Sequence, residues 1–117
     1  MIDCWSNCGF GDRIFFDYDS SKISPEAKAI IDRQVAFAKI SPDLTFTIEG
    51  HCDERGTREY NLALGARRAE VLRAAWVALG IDPARLRTVS YGNERPAVVD
   101  HSEVAWTLNR RAVAVVN

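Results

Sequence analysis

The stretch Leu44-Thr45-Phe46-Thr47-Ile48-Glu49 alternates without a break. Leu44, Phe46 and Ile48 fall on one side of an extended chain and Thr45, Thr47 and Glu49 on the other, the pattern of a strand with one buried face. Gly50-His51-Cys52-Asp53-Glu54-Arg55-Gly56 then reads as a polar loop. From about Thr57 to Leu79 the apolar spacing changes to that of a long helix, and Gly80 is its stop.

Upstream of this unit, Ser41-Pro42-Asp43 ends an earlier helix. Its start is Ser24-Pro25-Glu26: a capping serine, a proline suited to the first helical position, and an acid at the positive end of the dipole. Ala27, Ile31, Val35 and Ala38 recur along it at helical spacing, flanked by Ile30 and Phe37. Arg13 to Tyr18 reads as a short buried strand around Ile14, Phe15 and Phe16. Residues 1–11, broken by Gly9 and Gly11, form a lead-in to a domain spanning 12–117. Downstream, Asp82-Pro83 opens a turn and Leu86 to Tyr91 reads as a third strand. Gly92 to Pro96 is a loop, Ser102 to Leu108 a short helix, and the valine-rich Arg111 to Val116 a fourth strand. Four strands, two main helices and a short one make an α+β chain. They predict a two-layer α/β sandwich with the helices on one face of the sheet.

Composition agrees with one compact domain: 117 residues, 47% hydrophobic and 26% charged. The formal net charge of -1 gives no drive toward nucleic acid or anionic lipid. No apolar run reaches membrane-spanning length, and Met1 to Phe10 lacks the basic and apolar regions of a signal peptide. The cysteines are Cys4, Cys8 and Cys52, an odd number. Neither His51 nor His101 sits in a ligand pair with them, so no zinc site is expected and no metal or cofactor is called for.

The long helix carries an anomaly. Leu64, Val71, Leu72, Ala75 and Leu79 share one stripe, and Arg68 lies in its middle. Glu59, Glu70 and Arg73 lie opposite. An unpaired buried charge costs several kcal/mol, so Arg68 needs a partner. That partner is an internal acid, solvent reached along the stem, or a ligand carboxylate gripped by the guanidinium fork. The loop before the helix presents Asp53 and Arg55. Together a carboxylate and a guanidinium can receive a group bearing both ammonium and carboxylate, the free end of an amino acid.

Thr47-Ile48-Glu49-Gly50-His51-Cys52-Asp53-Glu54-Arg55-Gly56-Thr57 and Tyr60-Asn61-Leu62-Ala63-Leu64-Gly65-Ala66-Arg67-Arg68-Ala69 resemble the signature of OmpA-like peptidoglycan-binding domains. So do Phe16 to Ser21, Ser90 to Ala97 and Asn109 to Val113, and these strings look like the lipoprotein branch that works with the Tol proteins. The resemblance runs from about Arg13 to Val113. It implies the sandwich read above with a mixed four-stranded sheet, and a role in binding rather than catalysis. The implied ligand is the side-chain end of meso-diaminopimelate in uncrosslinked stem peptide. Asp53 matches the family aspartate that takes the ligand ammonium, and Arg68 the arginine that takes its carboxylate. Tyr18, Asp19, Arg55, Tyr60 and Leu64 match residues that complete the family pocket. Alanine at Asp53 or Arg68 is then expected to abolish binding with the fold largely kept.

The resemblance further implies a place at the periplasmic face of a Gram-negative outer membrane, a lipid anchor, and the partner TolB with other Tol or outer-membrane proteins. Ile2-Asp3-Cys4 does not look like a lipidation site, so the chain reads as the periplasmic part of a longer precursor. Cys52 stands where relatives carry a small residue, and an inert buried thiol is its expected role. Two other readings have distinct marks. An enzyme would use His51, Cys52 and Asp53, but neighbours on an extended segment point to opposite sides. A TolB-binding module would use Trp106, Glu94, Arg95 and exposed residues beside Asp53. The alternatives for Trp106 and Arg95 are filling the sheet edge and a local salt bridge.

Overall fold

The computed structural model describes residues 13–94 and 101–117. The lead-in with Cys4 and Cys8, and the segment holding Arg95, lie outside the described residues. In chain order the elements are β1 (Arg13–Phe15), α1 (Pro25–Ile40), β2 (Phe46–His51), α2 (Arg58–Ala78), a 3-10 turn (Pro83–Arg85), β3 (Leu86–Gly92), α3 (Glu103–Asn109) and β4 (Arg111–Val116). Each helix begins where a side-chain oxygen can take an orphan N–H. Ser24 Oγ accepts from Ala27 N at 3.1 Å, Thr57 Oγ1 from Tyr60 N at 3.2 Å, and Ser102 Oγ from Ala105 N at 3.2 Å.

The strands lie in the order β1-β4-β2-β3. β4 runs antiparallel to both its neighbours, whereas β2 and β3 are parallel, so the sheet is mixed. α2 is the crossover between the parallel pair, as such a pair requires. Ile14, Phe46, Ile48, Leu86, Ala112 and Ala114 supply the sheet's side of the core. Ala27, Ile31, Val35 and Ala38 from α1 and Ala69, Leu72 and Trp76 from α2 close over it. Trp76 meets the edge of Phe46 at 4.9 Å between centroids and donates from Nε1 to Gln34 Oε1 at 3.1 Å.

Three boundaries differ by two residues or more from the sequence reading. β1 stops at Phe15 because the chain turns soon after: Ser20 N donates to Asp17 O and Asp19 takes φ 54°. β2 starts at Phe46, since Leu44 N turns back to Ser41 O, and it runs on through Gly50 and His51. Those two residues still pair with β3, and Gly50 also pairs with β4. The buried stripe of α2 is also rotated. It consists of Asn61, Leu64, Gly65, Arg68, Ala69, Leu72 and Trp76, while Val71 and Ala75 are only partly covered and Leu79 is exposed.

Glycine sets that rotation. A Cβ on Gly50 would lie 1.6 Å from Gly65 O, and one on Gly65 would lie 2.3 Å from Ser90 Oγ. Helix backbone therefore rests directly on strand backbone, and Ser90 Oγ donates to Leu62 O at 2.7 Å beside this contact. The approach turns Arg68 toward the end of β2.

Candidate functional site

The pocket of interest lies where β2 passes into the loop before α2, beside the turn that follows β1. It is a small cleft with a volume of about 30 Å³ and an open mouth. Tyr18, Asp19, Asp53, Arg55, Tyr60, Leu64 and Arg68 all line it, so the structure brings together every site residue named from the sequence. Cys52, Gly56, Asn61 and Arg110 line it as well.

Arg68 is fully buried. Its Nε donates to Ser20 O at 2.8 Å, Nη1 to His51 O at 2.9 Å and Nη2 to Asp17 O at 3.0 Å. Three main-chain carbonyls from two segments thus fix the plane of the guanidinium. Among the described residues no carboxylate lies within salt-bridge distance of it. Neither the internal ion pair nor the solvent-seeking side chain describes Arg68. Burial pushes its pKa down, while the neighbouring Cys52 and Asp53 act the other way. A guanidinium remains a cation nonetheless.

Asp53 is buried too, at 3% exposure, and its carboxylate is surrounded. Oδ1 accepts from Arg55 N at 3.0 Å and Arg55 Nε at 3.2 Å, and Oδ2 from Arg55 Nη2 at 2.7 Å. Arg110 Nη1 adds a contact to Oδ2 at 3.3 Å. Burial alone would raise the Asp53 pKa. The hydrogen bonds and charge of Arg55, with a bond from Arg110, outweigh it and leave the carboxyl below the usual aspartate value. Arg55 is itself clamped between two rings, its Cζ 4.0 Å from the centroid of Tyr18 and 4.2 Å from that of Trp106. Such cation–π contacts hold a partly exposed guanidinium in place.

A depressed carboxylate pKa fixes a sign. The stability that Asp53 contributes is fully present above the unfolded aspartate value, about 3.9, and is lost as pH falls through the lower folded value. Denaturation curves between pH 2 and pH 7 are expected to show an acid limb in the wild type that is shallower in Asp53→Asn. Parallel limbs would mean that Asp53 gains nothing from its arginines.

Trp106 donates from Nε1 to Glu54 Oε1 at 2.9 Å, and His101 Nδ1 lies 2.7 Å from the same oxygen. Trp106 therefore packs on the loop cation Arg55 rather than filling the sheet edge. Glu94 pairs with Arg58 at 3.1 Å. The His51 side chain is not part of the pocket. It bonds Glu49 Oε1 at 3.0 Å, stacks on Tyr91, and has its pKa lowered by burial. His51, Cys52 and Asp53 thus form no common constellation, as the alternation of an extended segment requires.

Cys52 is a buried free thiol whose Sγ donates to Asn61 O at 3.2 Å. Burial raises its pKa, so it is protonated and a poor nucleophile at neutral pH. Cys52→Ala is expected to leave ligand affinity within about twofold, since a protonated thiol already bonded to Asn61 O offers little to a zwitterion. A large loss in the same titration would mean that the thiol shapes the pocket.

Arg110 is the residue that sequence reasoning missed. It stands in the run Asn109-Arg110-Arg111 between α3 and β4, where no periodicity marks it as buried, yet only 6% of it is exposed.

Comparison with known proteins agrees with this picture. The OmpA family model matches residues 15–110. A peptidoglycan-associated lipoprotein of Brucella melitensis is 52% identical over 107 residues, covering 92% of this chain and 64% of the relative. One from Rhizobium meliloti is 54% identical over 106 residues, covering 91% of this chain and 60% of the relative. The chain thus spans less than two thirds of the length of these curated relatives. The crystal structure of the peptidoglycan-associated lipoprotein from Burkholderia pseudomallei matches with a TM-score of 0.87 at 40% identity, over 91% of this chain and 90% of that one. The C-terminal domain of Helicobacter pylori MotB matches with a TM-score of 0.84 at 20% identity, over 91% of this chain and 84% of that one, a likeness of fold alone. Since one family model covers β2, β3, both main helices and the pocket residues together, the chain belongs to the OmpA family.

Proposed function

We propose that this chain binds peptidoglycan non-covalently through the meso-diaminopimelate of an uncrosslinked stem peptide, and catalyses no reaction. Arg68 takes the side-chain carboxylate of the ligand and Asp53 its ammonium. Arg55, Asp19, Tyr18, Tyr60 and Leu64 shape the rest of the site. One observation carries the reading: a fully buried arginine, held flat by three carbonyls and lacking a carboxylate partner among the described residues, lines a pocket that also holds a buried aspartate. A ligand carboxylate supplies what Arg68 lacks. In the whole protein this binding tethers the outer membrane to the cell wall from its periplasmic face, through a lipid anchor borne elsewhere. The relatives' shared name, peptidoglycan-associated lipoprotein, supports that placement. TolB and other Tol or outer-membrane proteins are the proposed protein partners, on family resemblance.

Three stem peptides matched except at the third residue test the site. With free diaminopimelate both charges are met. Amidating the side-chain carboxyl leaves Arg68 one acceptor oxygen without charge. Lysine has the ammonium but offers Arg68 nothing. A buried polar group left unsatisfied costs about 1–3 kcal/mol, and more for a charge. Calorimetric affinities are expected to fall in that order, with lysine at least about tenfold below diaminopimelate. Equal affinities would mean that Arg68 does not read the carboxylate.

A further inference from the structure

We infer that Arg110 is a positioning residue for ligand binding, which acts through Asp53 by fixing the carboxylate where it can meet the ligand ammonium. The inference deepens the reading above and rests on it.

The argument begins with what holds Asp53. Arg55 grips it from the pocket mouth, with a side chain 31% exposed. Arg110 reaches it from the interior, with a side chain 8% exposed. An ammonium approaching Asp53 enters from solvent, on the side of Arg55. Only the interior contact can stay unchanged as the ligand docks.

Arg110 is anchored for that task. Its Nε donates to Phe16 O at 2.9 Å, and its Nη2 lies 3.4 Å from Thr107 Oγ1 and 3.9 Å from Glu103 Oε1. Its own backbone closes the same joint: Phe16 N donates to Arg110 O at 2.9 Å and Arg110 N to Trp106 O at 3.2 Å. The charge of Arg110 is already met by the Asp53 carboxylate, whereas the three acceptors of Arg68 are neutral carbonyls, so Arg110 holds a protein group where Arg68 has a charge to offer a ligand. Arg110 joins the end of β1, the helix α3 and the loop after β2, the elements that surround the pocket. Without it, Asp53 would keep, among the described residues, only the partly exposed Arg55 as a direct cationic partner. The other charges near Asp53 are Arg68, Asp19 and Glu54, the last two repelling the carboxylate.

The test uses two stem peptides that differ in one group: diaminopimelate, and 2-aminopimelate, which keeps the far carboxylate and lacks the far amine. Their affinities are compared for wild type, Arg110→Gln and Arg110→Lys, with folding checked by circular dichroism. Lysine keeps the charge but cannot reach Phe16 O, Asp53 and Thr107 together, and so guards against a glutamine variant that does not fold. The diaminopimelate peptide is expected to lose about tenfold in affinity in Arg110→Gln and less in Arg110→Lys, the order of effect of a lost charge-assisted hydrogen bond. The aminopimelate peptide is expected to bind all three proteins alike, because its contact is with Arg68. A merely structural role would weaken both peptides together. A folded Arg110→Gln, or failing that a folded Arg110→Lys, that discriminates between the peptides as wild type does overturns the proposal. Wild type that does not discriminate would count against the diaminopimelate reading itself. A second measurement needs no ligand: carboxyl-carbon NMR titration of Asp53. Its midpoint is expected to rise in the Arg110 variants, and an unmoved midpoint would overturn the positioning role independently of the first test.

Discussion

Arg68→Ala is expected to abolish binding to sacculi and to lower stability at the same time. The binding loss follows from removing one partner of a desolvated charge pair, about 2–5 kcal/mol. The stability loss has a different cause from the one the sequence raised, a loosened Asp53. It follows from the carbonyls of Asp17, Ser20 and His51, each of which loses its guanidinium donor. A buried acceptor left without a partner costs about 1–3 kcal/mol, less where water can enter through the pocket. The two effects separate in Arg68→Lys. An ammonium retains the charge and can serve some of the carbonyls, but it has no flat fork for a carboxylate. Sacculus pelleting and thermal unfolding on both variants give the comparison. A folded Arg68→Lys that pellets with sacculi as wild type does would remove Arg68 from the site.

Gly50→Ala is expected to be severely destabilising, although it removes no side chain from the pocket. A Cβ there would lie 1.6 Å from Gly65 O, a main-chain atom that no rotamer can move aside. Relief requires α2 to lift from β2, which separates Leu72 and Trp76 from Phe46 and Ile48. Overpacking in a well-filled core costs about 1–3 kcal/mol when side chains can adjust, and more when they cannot. For a domain of ordinary marginal stability this is enough to leave a large fraction unfolded at 37 °C. Urea denaturation measures it directly. A midpoint equal to wild type would show that helix and strand are not held as closely as the backbone contact requires.

These two residues also show what the sequence made legible. Arg68 stood out because it broke a pattern: one charge in an apolar stripe asks for an explanation wherever the helix sits. The caps Ser24, Thr57 and Ser102 act within a few residues of themselves, and all three helix starts were readable to within one residue. Trp76 was not assigned to the core, because local spacing can locate a stripe but not fix its rotation against a sheet. That rotation depends on Gly50 and Gly65, which meet only after folding. The end of β2 was misplaced for a different cause. Gly50 and His51 look like loop by composition, yet their backbones still have strand partners, and His51 has Glu49 and Tyr91 to bury against on the face away from the helices. Arg110 lies in a string that resembles the family, but no periodicity marked it as buried or tied it to the site. Its contacts with Phe16 and Asp53 cross 94 and 57 residues of chain.

The position of β4 gives these long contacts a consequence in time. This strand lies between β1 and β2, although it follows both by some sixty residues or more, so for most of the chain's length the centre of the sheet has no occupant. During vectorial synthesis or export, β2, α2 and β3 can associate as one unit, since they are contiguous. Among the described residues β1 has no strand neighbour other than β4, and it must wait for Arg111 to Val116 to arrive. Closing so long a loop is entropically slow, and contacts of this separation set the folding rate of small domains. Arg110 immediately precedes that strand, and its bond to Phe16 forms at the same joint. The pocket therefore becomes complete in the step that closes the sheet, and a chain still emerging has no finished site.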